Sequence, residues 1–164
     1  MRNTQNKEDS SSKKEQIDDI LLVASKKGYT EVVKMMLEAG ANVNAKDEEG
    51  WTALMYASEY GCTDIVKLLL GVGVDVNAKD KYGQTALMEA SDKGKIDVVK
   101  MLLEAGVNVN AKDEDGYTAL MYASSEEHTE IVDILKQYGA VDPDESFYLF
   151  LTIDKVATVY RKNF

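Results

Sequence analysis

Apolar residues in this chain fall into short blocks that are separated by polar turns containing glycine. Residues 52–58 read T-A-L-M-Y-A-S, and their leucine and second alanine, three positions apart, lie on one face of a helix. A second block, residues 65–70, reads I-V-K-L-L-L and gives a broader apolar surface. Neither block is long enough to form a stable helix alone. The pattern therefore predicts pairs of short helices that require neighbours.

The two blocks recur with a period of 33 residues. Residues 46–78 and 79–111 are identical at 20 of 33 positions, and the word T-A-L-M-x-A-S is written three times. Only its fifth letter varies, being Tyr56, Glu89 and Tyr122 in turn. A repeat of this length indicates a solenoid, in which each unit buries its apolar face against the next one.

The polar segments between the blocks carry the signals of turns and helix ends. D-x-x-G-x-T opens the regular units, with a glycine that permits a tight turn and a threonine suited to cap the first helix. Another glycine follows the second helix as a left-handed cap. The predicted fold is all-α, an array of helix-turn-helix units with short β-turn or hairpin tips.

The sequences G-x-T-A-L-M-x-A-S, D-I-V-K-L-L-L and G-V-D-V-N-A together resemble the ankyrin repeat over roughly residues 17–142. The family pattern usually has T-P-L-H where this chain has T-A-L-M, a variant that is similar to bacterial members. The resemblance implies an ankyrin-repeat α-solenoid. It also implies that partners meet the turn tips and the concave face lined by the first helices.

The repeat pattern divides the chain into three parts. We expect a disordered polar arm over residues 1–16, a repeat domain over 17–142 and a non-repeat segment over 143–164. That last segment is expected to cap the stack, as a helix started by Asp144 or as extended strands, or else to dock on a partner. The four predicted units are 17–45, 46–78, 79–111 and 112–142.

The fourth unit departs from the pattern at two positions. Glu127 stands where the other units have glycine, so a left-handed residue there would be strained and we expect a reshaped loop. Lys136 stands where the other units have leucine. Both changes indicate that the array approaches its end.

The charge of the chain narrows the class of partner. The formal net charge is -10, and residues 17–142 hold 12 basic and 23 acidic side chains. An acidic body disfavours nucleic acid, whose affinity comes largely from Lys and Arg, and no apolar run approaches a membrane span. The expected partner is a protein with a basic or partly apolar surface.

Catalytic and metal sites find little support in the residues. The single cysteine, Cys62, and the single histidine, His128, occupy equivalent positions two units apart, far beyond the ~3 Å that a nucleophile pair needs. The resemblance implies a structural role for His128. Zinc needs three or four clustered ligands. We therefore expect no enzyme, no metal and no cofactor.

Candidate partner-binding residues are those that the repeat does not need. Large aromatics favour interface hot spots, and charged neighbours share the helix ends and tips. The expected surface comprises Trp51, Tyr60, Tyr82, Tyr117, Glu59 and Lys93, together with the varying positions Tyr56, Glu89 and Tyr122. For these last three, two readings stay open. They form a contact patch, or they are partly buried between neighbouring helices with each tyrosine hydroxyl finding a carboxylate, where Glu89 could accept from both tyrosines.

The sequence thus predicts a non-enzymatic protein–protein interaction module, monomeric and cytoplasmic, with a non-classical secretion route left open. One alternative is a dedicated inhibitor or effector of the same fold. Another is a structural or oligomerising element that pairs chains through residues 143–164.

Overall fold

The computed structural model describes residues 5–141, with side chains described for residues 13–141. Eight helices follow one another in pairs, and the described residues contain no strand, only an isolated bridge between Lys46 and Thr52. The helices are α1 (Gln5–Lys27), α2 (Thr30–Glu38), α3 (Ala53–Tyr60), α4 (Thr63–Gly71), α5 (Ala86–Asp92), α6 (Ile96–Glu104), α7 (Ala119–Ser125) and α8 (Thr129–Gln137).

The helices form two stacked rows. The first helices of the pairs contact one another in the order α1, α3, α5 and α7, and the second helices in the order α2, α4, α6 and α8. Between the rows lies one continuous core, in which equivalent leucines are almost completely buried: Leu54, Leu87 and Leu120. The all-α solenoid predicted from the period is confirmed.

Threonine caps begin the first helices of the three regular units, as the sequence predicts. The Thr52 hydroxyl accepts a hydrogen bond from the Met55 amide at 3.3 Å, and the Met55 sulfur lies 3.4 Å from the Thr52 amide. The same pair of contacts recurs between Thr118 and Met121. Methionine thus supplies a weak acceptor at the position where the family pattern has histidine.

Asparagine side chains tie successive units together at the same end of the helices, in the segment that leads from each second helix to the next threonine cap. The Oδ1 atoms of Asn44, Asn77 and Asn110 accept hydrogen bonds of 2.8–2.9 Å from the backbone amides of residues 75, 108 and 141. The V-N-A segment therefore sets the spacing of the stack as well as leading into the next turn.

The N-terminal helix differs from the sequence-based expectation. Residues 1–16 were expected to be disordered, yet α1 begins at Gln5. No glycine or proline interrupts residues 5–16, and several are strong helix formers, so the helix of the first unit extends backwards. The unit boundaries remain predictions, and the expected cap over residues 143–164 lies outside the described residues.

The expectation of a reshaped loop at Glu127 was wrong. Glu127 takes the left-handed conformation of the glycines it replaces, with φ 60°. The amide of His128 bonds to the carbonyl of Ala123 at 2.9 Å, as Cys62 does to Ala57 at 2.8 Å. The His128 ring packs over Gly94, and its Nε2 lies 3.0 Å from the Asp92 carbonyl oxygen. These contacts hold the strained residue in place.

Replacing Glu127 with glycine should stabilise the protein. The left-handed conformation costs a residue with a Cβ about 1 kcal/mol, and glycine avoids this cost. We therefore expect Glu127→Gly to raise the free energy of unfolding by about 0.5–1 kcal/mol. Urea denaturation followed by circular dichroism measures this.

The matched control is Glu126→Gly. Glu126 has φ -91°, so glycine there only adds freedom to the unfolded chain and should lower stability. A gain of equal size in both variants would contradict the strain at Glu127.

Candidate functional site

The turn at each tip is organised by an aspartate. One carboxylate oxygen of Asp47 accepts hydrogen bonds from the amides of Glu49 and Trp51, both at 2.9 Å. The equivalent oxygens of Asp80 and Asp113 do the same with the amides two and four residues further on, at 2.8–3.0 Å. Each turn is therefore built the same way, and Oδ1 of each aspartate is fully used.

The second oxygen of the aspartate is capped by tyrosine in two of the three regular units. The hydroxyl of Tyr56 donates to Asp47 Oδ2 at 2.5 Å, and that of Tyr122 donates to Asp113 Oδ2 at 2.7 Å. Burial and then the bond to the carboxylate raise the pKa of both tyrosines above the usual range. These phenols are partly buried donors that stabilise the turns.

The third unit lacks this cap because its fifth letter is Glu89. Asp80 is 9% exposed, and its Oδ2 is buried without a hydrogen-bond partner among the described residues. Glu89 is equally buried, at 9% exposed. Burial, followed by the charges of Glu59 and Asp92, raises the pKa of Glu89 to about 7. Two carboxyl groups thus share a poorly solvated position that a tyrosine fills in the units on both sides.

Both tyrosines are partly buried and each hydroxyl finds a carboxylate, but that carboxylate is not Glu89. Each tyrosine hydroxyl donates instead to the aspartate of its own unit. Tyr122 also receives a hydrogen bond from the preceding unit, because the side-chain amide of Gln84 donates to its hydroxyl at 2.8 Å. The geometry favours half-buried packing for the tyrosines and leaves Glu89 as the exception.

Trp51 and Tyr117 fold onto their own turns. The Trp51 ring lies 4.9 Å from that of Tyr56, and the Tyr117 ring lies 5.8 Å from that of Tyr122, both tilted. The ammonium of Lys26 sits 5.1 Å above the Tyr56 ring. Much of these aromatic surfaces is therefore engaged within the chain.

Two other candidates present their side chains to solvent. Tyr82 is 58% exposed at the tip of the third unit, and Tyr60 is 49% exposed at the end of α3. Tyr82 is two residues before Gln84, which holds the position of Trp51 and Tyr117. The structure thus separates the expected aromatic group into two packed rings and two exposed ones.

The charged candidates Glu59 and Lys93 lie near Glu89. The charge of Glu59, at the end of α3, contributes to the raised pKa of Glu89, and that of Lys93 acts against it. Lys93 is already paired, with its ammonium 2.7 Å from a carboxylate oxygen of Asp92. This hydrogen bond is the main cause that raises the pKa of Lys93. The candidates Glu59, Glu89 and Lys93 therefore form one electrostatic cluster.

Cys62 and His128 contact different units of the stack. The Cys62 sulfur lies against Gly28, and the His128 ring lies against Gly94. Burial raises the pKa of the Cys62 thiol, which is the opposite of an activated nucleophile. Among the described residues, no group of three or more potential ligands could hold a metal ion.

Sequence reasoning did not identify the unpaired oxygen of Asp80. The signal was present, because an aspartate precedes the fifth letter by nine residues in all three units. The spacing alone does not show that tyrosine reaches this aspartate.

Within residues 5–141, no helix has both the length and the apolar character needed to cross a bilayer.

Comparison with known proteins agrees with the geometry. A family model described as ankyrin repeats (3 copies) matches residues 4–80, 20–113 and 73–146. Among curated proteins, protein phosphatase 1 regulatory subunit 12A of Mus musculus, Homo sapiens and Rattus norvegicus is 59% identical over 32 residues. That match covers 20% of this chain and only 3% of the relative. Its length is close to one 33-residue period, so the likeness is that of a single repeat.

The buried carboxyl of Glu89 should make stability depend on pH. The pKa of Glu89 is raised in the folded state. Its contribution to the free energy of unfolding is therefore fully present below about pH 4.5 and is lost as the pH rises through about 7. Replacing Glu89 with glutamine should change little at pH 5. At pH 8 it should stabilise the protein by about 2 kcal/mol, allowing for partial solvent access. Urea titrations at the two pH values measure the difference.

Glu104→Gln removes the same charge from an exposed position on α6 and serves as the control. It should show no comparable rise between pH 5 and pH 8. Equal effects of the two substitutions at both pH values would contradict the assignment.

Proposed function

Because the chain belongs to the ankyrin repeat family, we propose that it binds a protein partner through its tips and first-helix face, without catalysis. Ankyrin repeats form a protein–protein interaction module. The observation that carries the proposal is the contrast between a hydrogen-bonded backbone at the tips and two exposed tyrosines, Tyr82 at a tip and Tyr60 at the end of α3.

Hydrogen bonds between units make the tips rigid. The Lys81 amide donates to the Glu49 carbonyl at 3.0 Å, and the Glu114 amide donates to the Tyr82 carbonyl at 2.9 Å. Long side chains reinforce this link, since the ammonium groups of Lys46 and Lys79 donate to the backbone of the next unit at 2.7 Å. A preorganised surface loses little entropy when it binds.

Tyr60 and Tyr82 are the best anchors for a partner. Both expose about half of the side chain or more and are not needed for the core. Tyrosine gives a large contact area at low cost in conformational entropy. Trp51, Tyr117, Tyr56 and Tyr122 would support the surface from beneath, with their exposed edges contributing to contact.

The charges around these anchors specify the chemistry of the partner. Residues 17–142 carry an excess of acidic side chains, and Glu59 directly precedes Tyr60 at the end of α3. The charge of Glu59 also acts on Glu89 of α5. A partner with a basic and partly apolar surface suits this arrangement, because complementary potentials steer association and exclude other partners. The match to the phosphatase subunit spans a single repeat, so it does not identify the partner of this chain.

Removing the two exposed tyrosines should weaken binding without unfolding the protein. The full chain is used to capture interacting proteins, and a captured candidate is then purified and titrated by calorimetry. For Tyr60→Ala/Tyr82→Ala we expect binding to be weaker by about tenfold or more, the effect of losing hot-spot residues.

The matched control replaces two exposed tyrosines elsewhere, Tyr29 at 59% and Tyr138 at 48% exposed. This double variant should bind as the original protein does. Equal affinity of all three proteins for the purified partner would refute the proposed surface. Self-association of the chain as the only interaction found would favour an oligomerising role instead.

A further inference from the structure

The third unit contains an unfilled hydrogen-bonding position. In the units on either side, a tyrosine hydroxyl reaches the second oxygen of the turn aspartate. In the third unit, this oxygen belongs to Asp80, which is nine-tenths buried, and no group within the described part of the chain donates a hydrogen bond to it. Because the units are equivalent, we expect Asp80 Oδ2 to face the side-chain position of Glu89, as Asp47 and Asp113 face their tyrosines. A buried acceptor without a donor is costly, so the position calls for a donor from outside the repeat pattern.

The groups around this position favour a cation over any other donor. Glu59 on α3, Asp92 and Lys93 on α5, Asp80 in the turn and the Tyr122 phenol on α7 all interact electrostatically with Glu89. Three of these neighbours are carboxylates. The one cation, Lys93, is bound to Asp92 at 2.7 Å. The described neighbours therefore leave the Asp80 and Glu89 pair without a cation of its own.

We propose that Asp80 and Glu89 form a seat for one cationic side chain of the protein partner, with arginine favoured over lysine. The inference rests on the proposed function, since it names the group through which that partner is recognised. A guanidinium presents several N–H donors in one plane, and so it serves two carboxylates at once. It also stacks on aromatic rings, and Tyr122 on α7 carries such a ring and interacts electrostatically with Glu89.

Asp80 and Glu89 have different roles in this seat. The two turn hydrogen bonds at Oδ1 hold the Asp80 carboxylate in place. Glu89 lies on the helix, is attached through three rotatable bonds and keeps a small exposed fraction. Binding turns the Glu89 carboxyl outward to meet the cation, and this movement opens the path to Asp80 Oδ2.

A proton occupies the same seat when the cation is absent. The raised pKa of Glu89, about 7, means that the group holds its proton through the mildly acidic range. The neutral carboxyl then has an O–H donor where the neighbouring units have a phenol. Cation and proton compete, so binding should tighten as the pH rises.

The test is an NMR titration of the full isotope-labelled chain with N-acetyl-argininamide, N-acetyl-lysinamide and sodium chloride at matched ionic strength. We expect saturable shifts centred on the amides of residues 80–93 with the arginine probe at pH 8, and smaller ones with the lysine probe. At pH 5.5 the arginine probe should bind roughly tenfold more weakly, because Glu89 is then protonated. Sodium chloride should give no saturable shift there.

Two variants decide the assignment. Glu89→Tyr restores the residue found in the neighbouring units and should fold at least as stably as the original chain, while Glu89→Gln keeps the shape. Both should bind the arginine probe about tenfold more weakly, whereas the exposed control Glu104→Gln should bind it unchanged. Equal affinity of Glu89→Tyr and the original chain, or shifts spread over all acidic tips, would overturn the proposal.

The outcome is separable from that of the proposed function. Failure of the probe titration with continued dependence of partner binding on Tyr60 and Tyr82 removes the cation seat alone. If the probe binds saturably but the partner binds the Tyr60→Ala/Tyr82→Ala variant as tightly as the original chain, the cation seat is supported and the proposed tyrosine surface is refuted.

Discussion

Stacking of each short helix on the equivalent helix of the next unit is the interaction on which the whole structure depends. The second to fourth pairs consist of helices of seven to nine residues, too short to persist alone in water. Equivalent leucines close the core from one unit to the next, and asparagine side chains link neighbouring units beside the tips. Side chains that face this core therefore vary little between units, and the larger changes fall outside the leucine core, at the tips and at the fifth letter of the repeated word.

Those outside positions explain how a repetitive scaffold carries a particular surface. The turn aspartates and the backbone bonds between tips keep the tips rigid. Side chains such as Tyr82 are then not needed for packing in the core and remain exposed. The third unit goes further, because replacing tyrosine by Glu89 gives up a stabilising hydrogen bond. A loss of stability at one position of an otherwise regular array is a typical mark of a functional site.

Much of the fold could be predicted, because its signals are local. The period, the threonine caps and the glycine turns follow from short patterns that recur in the printed sequence. One prediction failed where a contact between distant residues decides. At Glu127 the local rule against left-handed residues gave way to the packing of His128 on Gly94. The difference at the N-terminus is local instead: polar composition suggested disorder, yet residues 5–16 lack glycine and proline and α1 begins at Gln5.

The sequence by itself determined the repeat, the helix pairs and the positions that are free to vary, since each of these depends on spacing along the chain. Only the tertiary structure decided what the free positions do. It folded Trp51 and Tyr117 onto their turns, left Tyr60 and Tyr82 exposed, and left Asp80 Oδ2 without a donor. The physical reason is that burial and hydrogen bonding are set by atoms a few ångströms apart in space, which a spacing of nine or 33 residues does not specify.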